Sequence, residues 1–231
     1  MRTAERTSSL AVLRETIRDA SLVWLAGGIV GVSFGAIAVA GGLPVWVPIA
    51  MSLLVYAGSA QFSAVGVLLA GGGPLAATAT GLLLNTRTAA YSLAVADILG
   101  SGRLARLAGA HLVTDETVAF ALAQQDPLRR RTAFWVSGLG LFAAWNTGVL
   151  IGALAGGALG DTDAYGLDAA FPAVLVALTL PAVRKEAGVR RSALFGATVA
   201  VAVTMTPGVP AGVPVLLALA GLALYRRGAT A

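Results

Sequence analysis

Between positions 20 and 86 the chain carries no Asp, Glu, Lys or Arg, and the runs 132–160, 169–183 and 192–225 are equally free of them. A water-soluble helix or strand keeps charged side chains on its outward face, and runs of this length leave none to place there. The hydrocarbon layer of a bilayer, roughly 30 Å thick, takes about 20 apolar residues of helix, so the four runs provide for about six or seven spans. Charged residues make up 12% of the chain, against about 25% in an average soluble protein. Little material is left over for a water-soluble catalytic domain. The expected class is all-α: a polytopic transmembrane helical bundle, one integral membrane domain over 1–231, with the lipid bilayer as its solvent.

The same composition removes other classes. The net charge of +5 comes from basic residues gathered at segment ends, where positives set topology, rather than along one face, so nucleic acid is not an expected partner. With no cysteine there is no disulfide framework, thiolate nucleophile or cysteine-based metal site, and the single His111 argues against zinc. Neither a metal nor a cofactor is expected. The one lysine, Lys185, follows Arg184 and does not complete a phosphate-binding G-x-x-x-x-G-K-[ST] loop. Energy for any work must come from a gradient or a separate subunit. The arginine-containing opening, 1–20, has helical spacing and no small-residue cleavage site before the apolar run, and reads as a cytoplasmic amphipathic lead-in rather than a removed signal.

A first span, about 22–40, ends at Gly41-Gly42-Leu43-Pro44, and a second, about 46–70, ends at Gly71-Gly72-Gly73-Pro74, both of which are turn chemistry. A third, about 75–99, contains Asn85 and Arg87 and leads into a polar, helix-like segment at 103–131. A fourth, about 134–155, precedes a loop with Asp161, Asp163 and Asp168. A fifth, 169–183, precedes Arg184-Lys185 and Arg190-Arg191, and Pro207-Gly208-Val209-Pro210 breaks the last run. Loop positives place the N-terminus, with Arg14 and Arg18, in the cytoplasm together with Arg129, Arg130 and Arg131. Three full crossings before position 100 would put Arg103 outside, in conflict with that. Either 108–125 dips into the membrane despite His111, Asp115 and Glu116, or one of the first three spans is broken or re-entrant; the dip is the preferred reading. Irregular backbone at membrane depth is tolerated only where protein or a water-filled cavity covers it, and transporters bind substrate near the midplane at such breaks.

Several residues are candidates for chemistry. Glycines at 27, 31 and 35, and at 148, 152, 156 and 160, recur every fourth residue and form faces that let helices approach closely. Gly31-Val32-Ser33-Phe34-Gly35 fits the G-x-S-x-G pattern of hydrolases, but that serine needs a strand-turn-helix setting and here it lies in an apolar helical run. An intramembrane serine hydrolase of the rhomboid type, using Ser33, is one alternative function; a non-transporting membrane subunit is another. Arg87 sits inside the third span, where a cation costs roughly 2.5–3.5 kcal/mol on insertion scales. It should face protein and pair with Asp97, Asp115 or Glu116. Asp97 is ten residues on, roughly 15 Å along one helix, which favours the other two. His111 and Asp115, four apart, would share one helix face with Glu116 beside them, an arrangement suited to proton coupling or an ion pair. Gly58, Ser59 and Gln61 interrupt the second span with small and polar groups, and Asn146 does the same in the fourth. With Asn85 and Arg87 these are the candidate substrate-binding residues; no catalytic residue is assigned.

Tyr56-Ala57-Gly58-Ser59-Ala60-Gln61-Phe62, then Leu83-Leu84-Asn85-Thr86-Arg87 with Tyr91, then His111-Leu112-Val113-Thr114-Asp115-Glu116 resemble the AzlC family of branched-chain amino acid permeases. The resemblance extends to the glycine-rich first helix and to a block at 167–172. Thr88 departs from it, standing where many members carry histidine. The resemblance implies export of leucine, isoleucine, valine and methionine across the bacterial cytoplasmic membrane, with a small hydrophobic AzlD-type membrane subunit as partner.

Overall fold

The computed structural model describes residues 2–159, 176, 180, 183–209 and 213–224. The aspartates at 161, 163 and 168, the block at 167–172, nearly all of the fifth span, Gly160 and the basic pair at 226–227 lie outside the described residues. Every described element is a helix: α1 (Arg2–Ala40), α2 (Trp46–Leu54), α3 (Gly58–Leu69), α4 (Pro74–Ala94), α5 (Arg103–His111), α6 (Asp115–Leu122), α7 (Pro127–Leu159), α8 (Ala187–Thr204), α9 (Val213–Leu217) and a 3-10 segment (Ala218–Leu224). The all-α class holds. Among the described residues, Val12–Ala40 and Pro127–Ala158 are long and apolar enough to cross a membrane. The chain groups into two compact units: Met1–Gly58 with Asn85–Tyr165, and Ser59–Leu84 with Gly166–Ala231.

In the first unit α1 and α7 run parallel and touch backbone to backbone. Both expected glycine faces supply the contact. A Cβ on Gly31 would fall 2.6 Å from the Trp145 carbonyl oxygen, and one on Gly156 would fall 2.9 Å from that of Ala36. On Gly35, Gly148 and Gly152 it would strike the carbonyls of Val149, Gly28 and Val32. The Trp24 indole lies over Gly140 and donates to the Ser137 carbonyl at 3.0 Å. Phe34, Val149 and Ala153 are buried in this seam. Leu22, Leu25 and Ile29 on α1, and Leu139, Ile151 and Leu154 on α7, remain exposed, as a lipid-facing surface requires.

The expected second span is not continuous. It divides into α2 and α3 at 55–57, where Tyr56 adopts φ +44°. α1 and α3 end on left-handed glycines, Gly42 and Gly71, as the turn chemistry predicts; α2 ends on a tyrosine in the same conformation. At 1.5 Å per residue α2 is about 14 Å long and α3 about 18 Å, so each is a half-helix.

The polar segment is also two helices. Thr114 caps α6: its hydroxyl accepts from the Thr117 amide at 3.3 Å, and the Thr117 hydroxyl accepts from the Thr114 amide at 2.8 Å. Asp115 and Glu116 in the first turn add favourable charge at the positive end of the helix. His111 and Asp115 therefore do not share a helix face; the first ends α5 and the second begins α6. Leu112 and Thr117 are buried and pack on Gly138 of α7, with 3.3 Å from Leu112 Cβ to a Cβ built there. Gly138 lies about 12 Å along α7 from Arg130 at 1.5 Å per residue. α6 thus lies against the first part of α7.

α4 stops at Ala94, and Asp97 lies in the turn beyond it, where Arg130 holds it at 2.9 Å and donates to the Ala94 carbonyl at 2.7 Å. The neighbouring Arg129 reaches Glu15 of α1 at 3.6 Å. Glu15 and Asp97 thus meet the same end of α7.

In the second unit Gly81 of α4 lies against Ala60 of α3, at 3.5 Å from its carbonyl oxygen to a built Cβ. Gly196 of α8 approaches the Ala218 carbonyl, at 2.5 Å by the same measure. α8 ends at Thr204, before the left-handed Gly208, in keeping with the expected break.

The α1–α7 seam makes a test. Gly152→Leu must push Val32 backbone aside and should cost more than the roughly 1–3 kcal/mol of ordinary overpacking, collapsing the monodisperse peak and lowering the melting temperature in detergent. Gly157→Leu, which meets nothing within 4 Å, should leave both unchanged; equal losses would disprove the interlock.

Candidate functional site

The site is measured out along α7. Near Phe142 and Asn146, about 18–24 Å from Arg130 along the helix, three elements converge. α2 reaches this level with its C-terminal turn: the Ser52 hydroxyl donates to the Asn146 side-chain oxygen at 2.7 Å, while the Asn146 amide donates to the Phe142 carbonyl at 2.8 Å. Gly58, just past the break, faces the Trp145 indole, with 3.0 Å from a built Cβ to Cη2.

α5 reaches the same level. His111 Nε2 lies 2.9 Å from the Leu53 carbonyl oxygen, in the last turn of α2. A carbonyl only accepts, so Nε2 carries the hydrogen. The His111 ring lies 5.7 Å from that of Tyr56 and 5.7 Å from that of Phe142, and Tyr56 meets Phe142 edge-on at 4.8 Å. Two helix C-termini and an aromatic triad thus share one locus. The imidazole clips the two broken helices together, which its expected place on a polar helix face did not foresee.

Asp115 leads away from this locus to α4. Its Oδ2 lies 2.9 Å from Arg87 Nη1, so the guanidinium has the anionic partner that its cost in an apolar span demands. Of the three carboxylates considered, Asp115 is the one engaged, and Asp97 is taken by Arg130. Asn85, half a turn before Arg87, accepts from the Thr88 hydroxyl at 2.7 Å through its side-chain oxygen. Thr88 therefore orients the amide beside the arginine, a use for the residue at which the chain departs from the familiar pattern. Glu116 follows Asp115 and is half-exposed.

The remaining candidates lie elsewhere. Ser59 and Gln61 belong to the second unit, at the start of α3, where Gln61 is fully buried. Ser33 is buried in the middle of α1 and donates to the Ile29 carbonyl of its own helix at 3.4 Å. It lacks the exposed turn that a hydrolase nucleophile needs. Among the described residues no group of His, Asp and Glu is arranged to hold a metal ion. Tyr56, Ser52 and Phe142 are the site residues to which the sequence reading assigned no role. One available signal was Thr114 followed by two acidic residues, a helix start, which would have placed a break beside His111.

Comparison with known proteins yields one match. A family model described as AzlC protein covers residues 23–159, a stretch that includes α2 to α7 and every candidate residue. No curated protein and no solved structure matches the chain.

The Arg87–Asp115 pair can be tested by charge exchange. Arg87→Asp and Asp115→Arg should each lower the yield of folded, membrane-inserted protein by leaving an unmatched charge, and the double exchange should recover a substantial part of it. A double variant no better than the worse single would show that the two groups do not act on each other.

Proposed function

The chain belongs to the AzlC family, a family linked to branched-chain amino acid transport, and on that premise we propose that it is a secondary transporter that exports leucine, isoleucine and valine, with methionine beside them. In this reading it is a multi-pass protein of the bacterial cytoplasmic membrane with a cytoplasmic N-terminus, and it works with a small hydrophobic AzlD-type subunit. The observation that carries the proposal is the ion pair between Arg87 and Asp115, set next to two broken helices. Broken helices give transporters polar backbone and side chains at depth, and an intramembrane cation with a named partner marks a substrate or ion path.

A zwitterionic substrate with an apolar side chain needs a cation for its carboxylate, an anion for its ammonium, and an apolar wall. Arg87 supplies the first. Its planar fork suits a carboxylate, and Asp115 neutralises it while no substrate is present. Asp115 and Glu116 supply the anionic side, one taking the ammonium or the coupling proton when substrate carboxylate displaces Asp115 from the guanidinium. His111 holds the junction that places them. Gly58, Asn85 and Asn146 stand in the same unit, whereas Ser59 and Gln61 enter the proposal on the sequence alone.

The test is counterflow of labelled leucine in proteoliposomes with the protein and its co-purifying small subunit. Arg87→Ala should reduce transport to background with folded yield within about twofold of the original, and Arg87→Lys should retain a fraction, since a point charge cannot reproduce the bidentate fork. Activity that falls only in parallel with yield would make Arg87 structural. Vesicles that move no branched-chain amino acid would overturn the substrate assignment.

A further inference from the structure

Tyr56 is used by nothing described so far. Its side chain is 5% exposed, and its hydroxyl is buried without a hydrogen-bond partner among the described residues. An orphaned buried hydroxyl costs about 1–3 kcal/mol, and a bulky residue at φ +44° adds backbone strain. Phenylalanine would remove the first cost and glycine the second. A group held at both costs is a candidate for contact with something that enters the site.

The surroundings fix the sign of what would enter. α2 ends at Leu54 and α5 at His111, so the negative ends of two helix dipoles meet here. The rings of Tyr56 and Phe142 present π-systems that attract cations. Glu116, in the first turn of α6, adds a carboxylate beside the Asp115 that holds Arg87. His111 is the one basic group in this cluster, and its Nε2 is committed to the Leu53 carbonyl. The cation Arg87 is turned to Asp115, the residue before Glu116, and consecutive Cα atoms lie about 3.8 Å apart. One dipeptide thus lies beside an anion-holding group and close in the chain to an aromatic cluster that attracts cations, on the scale of an amino acid head group.

We infer that the Tyr56 hydroxyl, walled by Phe142 and His111 at the meeting of two helix C-termini, accepts a hydrogen bond from the primary ammonium of the transported amino acid, with Glu116 as its counter-ion. The inference rests on the transport reading and names the half of the substrate that this locus recognises. Tyr56 is then a substrate contact, and the left-handed break that carries it is the device that brings its hydroxyl inward.

The experiment measures equilibrium binding of leucine, 3-methylbutylamine and 4-methylpentanoate, which keep both charges, the ammonium alone and the carboxylate alone, to protein in lipid nanodiscs. Tyr56→Phe keeps the ring and should weaken leucine and the amine about tenfold or more, as expected for a lost hydrogen bond to a charged group, while leaving the carboxylic acid unchanged. Glu116→Gln should give the same pattern and serves as the second variant if Tyr56→Phe is poorly folded. Unchanged binding of the amine by both variants, or equal loss of all three ligands by a well-folded variant, would overturn the inference. Wild-type binding of leucine with no effect of either variant would sink this inference alone. Amine binding without leucine binding would instead sink the transport reading and leave the ammonium site standing.

Discussion

Everything in the first unit is referred to the seam in which α1 and α7 share backbone surface. Lipid offers helices no hydrophobic reason to associate, so the attraction must come from close van der Waals contact, and glycine at every fourth position is what permits carbonyls to approach from the facing helix. With Gly31 and Gly35 seated on Trp145 and Val149, and Gly148 and Gly152 seated on Gly28 and Val32, α7 becomes the shared reference. Arg130, Gly138, Phe142 and Asn146 then mark successive levels along it, and the shorter helices attach at those levels.

Half-helices come at a cost that the side chains around them offset. Interrupting a helix frees backbone groups that lipid cannot satisfy. Here the Leu53 carbonyl is taken by His111, the Leu112 carbonyl by the Thr117 hydroxyl, and the Ala94 carbonyl by Arg130. Thr114 and Thr117 close the start of α6. The polar residues scattered through an apolar sequence are largely accounted for in this way. Arg87 and Asp115 stand apart, because they join two side-chain charges rather than repair backbone. That distinction gives them first place in the transport proposal.

Much of this was legible in the amino-acid order. Glycine spacing announced the close helix faces, Gly42 and Gly71 announced the ends of α1 and α3, and the cost of a cation in an apolar run called for a carboxylate for Arg87. The misreadings share a cause. Gly58, Ser59 and Gln61 marked 46–70 as a span that could break, but the residue at the break is Tyr56 rather than a glycine or proline, so its place was not legible. Spacing of four between His111 and Asp115 suggested one helix face, but spacing carries that meaning only if the helix is continuous, and the threonine cap interrupts it. Ser52 and Phe142 gave no signal because their partners lie far away in the chain.

The residue order alone determined the solvent, the all-helical class and the need of Arg87 for an anion, since each follows from the free energy of placing a given side chain in hydrocarbon. Folding in three dimensions decided which carboxylate answers Arg87, where the helices break, and that Glu15 and Asp97 meet one end of α7. Those outcomes depend on distances between groups far apart along the chain. The transfer cost of a residue is its own property; the relief of that cost belongs to whichever neighbour the packing delivers.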